Sequence, residues 1–330
     1  MWGRIGWGRP VRYWASVVFV AFCVAGALTA RGQDQVVLGS AAPPSNSAYL
    51  VPIIDHYHLD QKHGIVLENR LFTDLSNLYA DFVARRTLVT VGGFYNAANF
   101  YTKGIPVRLL CTLSVANHAI VTKEDIQSPE QLKGKTIAAT TGSGFYVLVQ
   151  MYYHQHGLDP RQNLSVISAA PPSVQSQLLA GRVDAGVVWE PVLSGMLLRG
   201  FHTVGDMQAD IRKDLSLPAT AQAWFIGVYA WQDWIDQNPQ RALALMQMLQ
   251  DAVQRYDSDP SVDQLIADFT HVPLETLKYS REKGLTSFKV VPAIQEKATI
   301  DALQGGFKSA GFIQQVPDAG IYYTWPQLAR

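Results

Sequence analysis

Short apolar runs rich in β-branched residues recur along this chain, each followed by a small-residue turn and then by apolar residues at helical spacing. That alternation constrains the fold more than any other feature. The fullest case is Leu132 to Tyr153, LKGKTIAATTGSGFYVLVQMYY. Thr136 to Thr140 fits a buried strand of a parallel sheet. Thr141-Gly142-Ser143-Gly144 is a turn, and Val147, Leu148, Met151 and Tyr152 recur as on one helix face. A helix N-terminus at a strand end favours an anion by roughly 0.3–1 kcal/mol, and by about 2 when partly buried. Glycine lets a ligand approach the backbone closely.

Three sharper motifs are excluded at this turn. A phosphate-cradling loop needs Gly-Lys-Ser/Thr at its end, and Phe145 follows Gly144. The dinucleotide fingerprint needs a third glycine where Val147 stands. The nucleophile elbow needs a glycine where Thr141 stands.

The same reading places strands at Gln35–Ser40, Ile65–Glu68, Leu88–Val91 (ending at Gly92-Gly93), Val107–Leu113, Leu164–Ile167, Arg182–Trp189 and Trp224–Tyr229. Helices are expected at Ala48–His58, Leu75–Ala84, Phe94–Thr102 and Pro172–Ala180. A long helix starts at Asn238-Pro239, with Leu243, Met246, Leu249, Val253 and Tyr256 on one face. Ser128-Pro129-Glu130-Gln131 has the form of a capping box. Strand–helix alternation of this kind implies an α/β fold with mostly parallel sheets.

Residues 1–32 read as an export signal. Arg4, Arg9 and Arg12 form a basic start, Trp14 to Leu28 is uncharged and largely apolar, and small residues follow. Bulky Phe22 precedes Cys23, which argues against a lipid-anchored cysteine. Removing residues 1–32 takes away four arginines and no acid, leaving 23 basic against 27 acidic residues, net about −4. No basic stripe remains to neutralise phosphates, so nucleic acid is excluded as a partner. Cys111 would be the only cysteine left, so no internal disulfide can form.

Catalytic constellations are weak. His56 and His58, like His154 and His156, are two apart and would point to different sides of a helix, whereas helical zinc ligands favour i,i+4 spacing. No serine, histidine and acid group stands out for nucleophilic work. The expectation is therefore a protein without catalytic residues, metal or cofactor.

The ordered set of Leu132-Lys133-Gly134-Lys135-Thr136-Ile137, the Gly-Ser-Gly turn, Ala180-Gly181-Arg182-Val183-Asp184-Ala185 and Trp189-Glu190-Pro191 resembles the extracytoplasmic solute-binding proteins of ABC importers. The subgroup is that for nitrate, sulfonates and taurine, and for thiamine-pyrimidine precursors. It covers roughly residues 35–325.

The resemblance implies a two-lobed periplasmic-binding-protein fold of the second type, with two α/β lobes joined by two hinge crossings. Lobe one would be 34–115 plus 222–330, and lobe two 116–221. The crossings would fall near Leu113–Asn117 and Ala221–Phe225. It also implies a periplasmic monomer that binds a small organic anion in the cleft and hands it to a membrane permease. Carried over by position, the cleft would be lined by Ser45, Asn46, Ser47, Gly92, Gly93 and Phe94 from one lobe. Thr141, Gly142, Ser143, Gly144, Trp189 and Glu190 would line it from the other. Hydroxyls and backbone N–H groups suit an oxyanion, aromatic rings an organic tail or a cation. Glu190 would meet an amine or pair at the lobe surface. The alternatives are a thiamine-pyrimidine or related heterocycle binding protein, an enzyme of the thiamine-pyrimidine synthase type, and a ligand sensor for a membrane receptor.

The signal reading has a direct test. Mass spectrometry of protein from the cell envelope should show an N-terminus between Gly26 and Asp34. A main species that keeps Met1 would refute it.

Overall fold

The computed structural model describes residues 35–115, 117–219 and 221–326, so the export-signal expectation lies outside the described residues. Ten strands form two five-stranded sheets. The first contains β1 (Gln35–Ala41), β2 (Val66–Phe72), β3 (Val89–Gly93) and β4 (Val107–Val115). The chain then enters the second sheet with β5 (His118–Thr122), β6 (Thr136–Ala139), β7 (Ser165–Ser168), β8 (Ala185–Trp189) and β9 (His202–Thr203). It returns to the first sheet with β10 (Trp224–Trp231).

The two sheets share one plan. Their orders are β2-β1-β3-β10-β4 and β7-β6-β8-β5-β9. In the first, β1 is parallel to β2 and β3, while β10 is antiparallel to β3 and β4. In the second, β6 is parallel to β7 and β8, while β5 is antiparallel to β8 and β9. In each sheet the single reversed strand is the one the chain enters straight after crossing over.

Helices α1 (Leu50–His56), α2 (Leu75–Val83) and α3 (Phe94–Thr102) link the first strands. Around the second sheet lie α4 (Gly144–Gln155), α5 (Pro171–Leu179), α6 (Val192–Leu197) and α7 (Met207–Asp214). After β10 come α8 (Pro239–Ser258), α9 (Val262–Thr270), α10 (Leu274–Glu282) and α11 (Lys297–Ser309). Helices α8 and α9 pack on α1, over the first sheet. Two later helices reach the second sheet's layer, α10 on α6 and α11 on α4.

Local chemistry accounts for where several expectations shift. The Ala48–His58 helix is divided into a 3-10 turn at Asn46–Ala48 and α1. Pro52 falls in the first turn of α1, where its missing N–H has no intrahelical partner to lose. Strand β2 runs on to Phe72, past charged Arg70, because it is an edge strand and Arg70 pairs with Asp81 at 3.1 Å. Arg182 to Asp184 precede β8 rather than belong to it; the Asp184 carboxylate accepts from Thr136 N at 2.7 Å. The capping box forms on a single 3-10 turn, Pro129–Leu132, with Gln131 Oε1 accepting from Ser128 N at 2.9 Å. Helix α8 buries Leu245, Met246, Leu249, Val253 and Tyr256, and Leu243 is only half-buried, so its core face is turned slightly from the expected one.

One hydrophobic cluster runs continuously from the first sheet into the second. Phe82 packs against Phe100, Tyr229 and Trp231, with centroids 5.7, 5.2 and 5.6 Å away. Burying each such ring contributes about 1.5–3 kcal/mol. The Trp231 and Trp325 indole N–H groups donate to Phe82 O and Leu110 O, both at 3.1 Å, so burial leaves neither unpaired. The outer edge of β4 is covered by the tail of the chain. Lys289 N donates to Leu113 O and Thr112 N to Val291 O, each at 2.9 Å. This removes an open edge that could pair with another chain.

Gly227 sits in β10 where no side chain fits. A Cβ there would lie 2.4 Å from the Cys111 carbonyl oxygen and 2.4 Å from the Phe94 ring. Gly227→Ala should therefore lower stability by about 1–3 kcal/mol or prevent folding. Urea denaturation checks this, and an unchanged midpoint would contradict the packing.

Candidate functional site

The forward strands of both sheets end at one cleft of about 800 Å³. On one side lie the carboxyl ends of β1, β2 and β3, with the segments that follow β1 and β2. On the other lie the ends of β6, β7 and β8 with the first residues of the next helices. Ligand sites in α/β folds occur at such strand ends. Helices α2, α4, α5 and α6 begin beside this space, with Leu75, Phe145, Pro171 and Val192 in its wall; the first N–H groups of a helix have no intrahelical acceptor, although Pro171 and Pro172 supply none.

The turn after β6 shows how this edge is built. Ser143 is the N-cap of α4, and its Oγ accepts from Tyr146 N at 3.2 Å. The same Oγ donates to Thr140 O at 2.8 Å. Its one proton is thus committed to the turn, and Ser143 holds the helix start rather than offering a donor to the cleft. Gly144 and Phe145 open α4, where N–H groups have no intrahelical acceptor. Thr141 Oγ1 and Ser168 Oγ are 2.6 Å apart and tie the ends of β6 and β7 together. Across the cleft, Asp74 caps α2 by accepting from Ser76 N at 2.8 Å, and Ser45 Oγ accepts from Ser47 N at 3.3 Å.

Among the described residues lining the cleft there is no Lys, Arg or His, and the charged ones are Asp74 and Glu190. Any positive potential comes from helix N-termini and backbone N–H groups. The rest of the wall is apolar and aromatic. Phe145 stacks on Trp189 with centroids 4.9 Å apart and planes 18° apart. Tyr79 faces the space from α2, and burial pushes its phenol up to about 12, so it is a neutral hydroxyl at physiological pH.

The twelve residues expected at the cleft separate into two groups. Ser45, Ser47, Gly92, Thr141, Gly142, Ser143, Trp189 and Glu190 are in its wall. Asn46, Gly93, Phe94 and Gly144 lie behind it. Phe94 is buried with its ring against Gly227, and Gly93 and Gly144 both face the edge of Phe225. Glu190 neither pairs at a lobe surface nor presents an open carboxylate. It is 0% exposed, and its Oε1 accepts from Ser194 Oγ at 2.9 Å. Burial pushes its carboxyl up to about 7, with the Ser194 and Ser280 hydroxyls pulling it partly back.

Sequence reasoning missed Tyr79, Ser76, Phe145 and Ser168. Phe145 was visible as the residue that excluded a phosphate loop, and its aromatic character beside a glycine turn was the available signal. Tyr79 and Ser76 lie on a helix that gives no local sign of facing a cleft. No group of three or more His, Cys, Asp or Glu among the described residues is placed to hold a metal ion. No described helix is long and apolar enough to cross a membrane.

A family model described as NMT1-like matches residues 55–270, more than half of the chain. The chain belongs to the NMT1-like family. A taurine-binding periplasmic protein of Escherichia coli K12 is 26% identical to this NMT1-like chain over 163 residues, which is 48% of the chain and 47% of that protein. The chain thus spans about half the length of the curated relative it matches. The alkanesulfonate-binding protein SsuA from Xanthomonas axonopodis pv. citri, solved with MOPS bound, superposes with a TM-score of 0.69 at 17% identity, over 86% of this chain and 95% of that one. The periplasmic nitrate-binding protein NrtA from Synechocystis PCC 6803 superposes with a TM-score of 0.64 at 14% identity, over 86% of each chain. These likenesses establish the two-domain α/β fold of periplasmic binding proteins for the NMT1-like chain.

Ser143→Ala should lower stability by about 0.5–2 kcal/mol, as loss of an N-cap does. Chemical denaturation measures it, and unchanged stability would show that the cap bonds contribute nothing.

Proposed function

We propose that the protein is an extracytoplasmic solute-binding protein that captures a small organic anion in its cleft and delivers it to an ABC importer. Lobe one would comprise residues 34–115 plus 222–330 and lobe two 116–221, closing on the ligand by hinge motion. One observation carries the reading: strand ends and helix starts from both sheets converge on a cleft with an aromatic wall and, among the described residues, no basic side chain. Such a site holds an oxyanion through N–H groups and hydroxyls, at roughly 1.5–3 kcal/mol for each bond to a charged group. The relatives named for taurine, alkanesulfonate and nitrate support the same class. A cleft of about 800 Å³ is far larger than nitrate, which favours an organic body beside the head group. The protein would act in the periplasm with a membrane permease, as a monomer and without turning its ligand over.

The Phe145–Trp189 stack and the missing cation also favour a second reading, a neutral heterocycle of the thiamine-pyrimidine kind. Native mass spectrometry of the purified protein, then calorimetric titration with alkyl and aryl sulfonates, taurine, nitrate and pyrimidines, separates the two. Preference for pyrimidines over every anion would overturn the anion reading. Conversion of any of these compounds would overturn the binding-protein reading altogether.

Gly142 gives a sharper test. A Cβ there would meet only Ser76 Oγ, 3.9 Å away on the opposite side of the cleft. Gly142→Val should leave stability within about 0.5 kcal/mol, as a substitution in open space does. It should weaken the best ligand of the panel at least tenfold, about 1.4 kcal/mol. Ser143→Ala should weaken the same ligand less, since its hydroxyl proton is already engaged. Full affinity in Gly142→Val would place the ligand elsewhere.

A further inference from the structure

Glu190 is a charge-bearing group that ligand binding does not explain. Its carboxyl lies where α6, which follows β8, packs on α10, a helix from the other side of the crossing back to the first sheet. The residue has no exposed surface, and Oε2 has no hydrogen-bond partner among the described residues. The Ser280 hydroxyl on α10 is itself 2.9 Å from Thr286 Oγ1. We infer that Glu190 is a proton-binding site at the contact between α6 and α10, and that its ionisation loosens this contact between the two halves.

The surroundings make the carboxyl the group that titrates. Tyr49, at the start of α1, has a buried hydroxyl without a partner, and burial together with Glu190 pushes its phenol well above the usual range. Tyr256 on α8 is pushed up to about 12, first by burial. Both stay neutral across the physiological range. Asp263 on α9 is paired with Arg281 on α10, with Arg281 Nε 3.0 Å from Oδ2, and Arg199 Nη1 donates to Gly195 O on α6 at 2.7 Å. His118 on β5 sets its ring against Phe145 at 5.4 Å, and Asn117 O accepts from Glu190 N at 3.3 Å. Ser194 Oγ from α6 donates to Oε1 at 2.9 Å.

A buried acid in this setting is neutral at low pH and fits the dry contact. Because its pKa is raised in the packed state, the cost of keeping it buried appears as pH rises above the ordinary carboxyl range and is complete once pH passes about 7. Opening that admits water lets it ionise. If opening restores the ordinary value, linkage makes the opening equilibrium roughly tenfold more favourable at pH 8.5 than at pH 6.0.

Hydrogen–deuterium exchange on the full protein, without ligand and corrected for intrinsic rates, tests this across a pH series that includes those two values. Peptides covering Val192–Leu197 and Leu274–Glu282 should exchange roughly tenfold faster at pH 8.5, while those from α2 stay constant. Glu190→Gln keeps the shape and cannot titrate, so its exchange at the same peptides should not depend on pH. Ser194→Ala, which removes the hydroxyl that favours the ionised form, should move the midpoint to higher pH. A flat wild-type profile, or an undiminished rise in Glu190→Gln, would overturn the inference. If Glu190→Gln does not fold, an unmoved midpoint in Ser194→Ala overturns it.

Discussion

The ring of Phe225 is the point on which both halves of the molecule rest. It is buried at the start of β10, and the N-cap glycine of α3 and the first residue of α4 close on the same edge of it. A Cβ on Gly93 would lie 3.1 Å from that edge, and one on Gly144 3.0 Å. Phe145 packs on the ring from the second sheet's side at 5.3 Å, and Phe307 of α11 at 6.3 Å. A side chain at either position would need the ring to give by a few tenths of an ångström. Gly92 and Ser143, the chain neighbours of these glycines, are in the wall of the cleft.

The cleft then works by arrangement rather than by formal charge. A lysine or arginine would attract any anion, including abundant inorganic ones, over a long range. N–H groups and hydroxyls act only within hydrogen-bond distance and only in the right direction. Under the proposed function, selection would then depend on whether the ligand also fills the apolar space beside Phe145, Trp189 and Tyr79. The Glu190 carboxyl is engaged in a buried contact, whereas exposed Asp74 caps a helix with one oxygen and keeps its negative charge at the rim of the space.

The fold was legible because its signals are local and periodic. Strand-to-helix alternation gave the sheets, and glycine turns marked the strand ends. Gly92-Gly93 and Gly142–Gly144 do follow strand ends as expected, yet Gly93 and Gly144 face the Phe225 ring rather than open space. That distinction depends on β10, which is far away in sequence, and no local pattern carries it. The same holds for Ser143. Its place at a helix start could be read, but whether its proton points to Thr140 or to the cleft is a matter of rotamer. Tyr79 and Ser76 were missed because a helix face toward a cleft looks like a helix face toward solvent. Glu190 was expected to be accessible because acids usually are. The packing of α10 over α6 reverses that.

The interleaving of the strands sets an order on assembly as the chain grows from its N-terminus. The second sheet is drawn from one continuous run, His118 to Thr203, and can pair completely as soon as that run is made. The first sheet cannot. Its strands β3 and β4 are made early but are not paired with each other, since β10 lies between them. Without β10, the facing edges of β3 and β4 have no partner in this sheet. The half that begins the chain is therefore the half that cannot be complete without β10, whereas every strand of the second sheet lies in the single run His118 to Thr203.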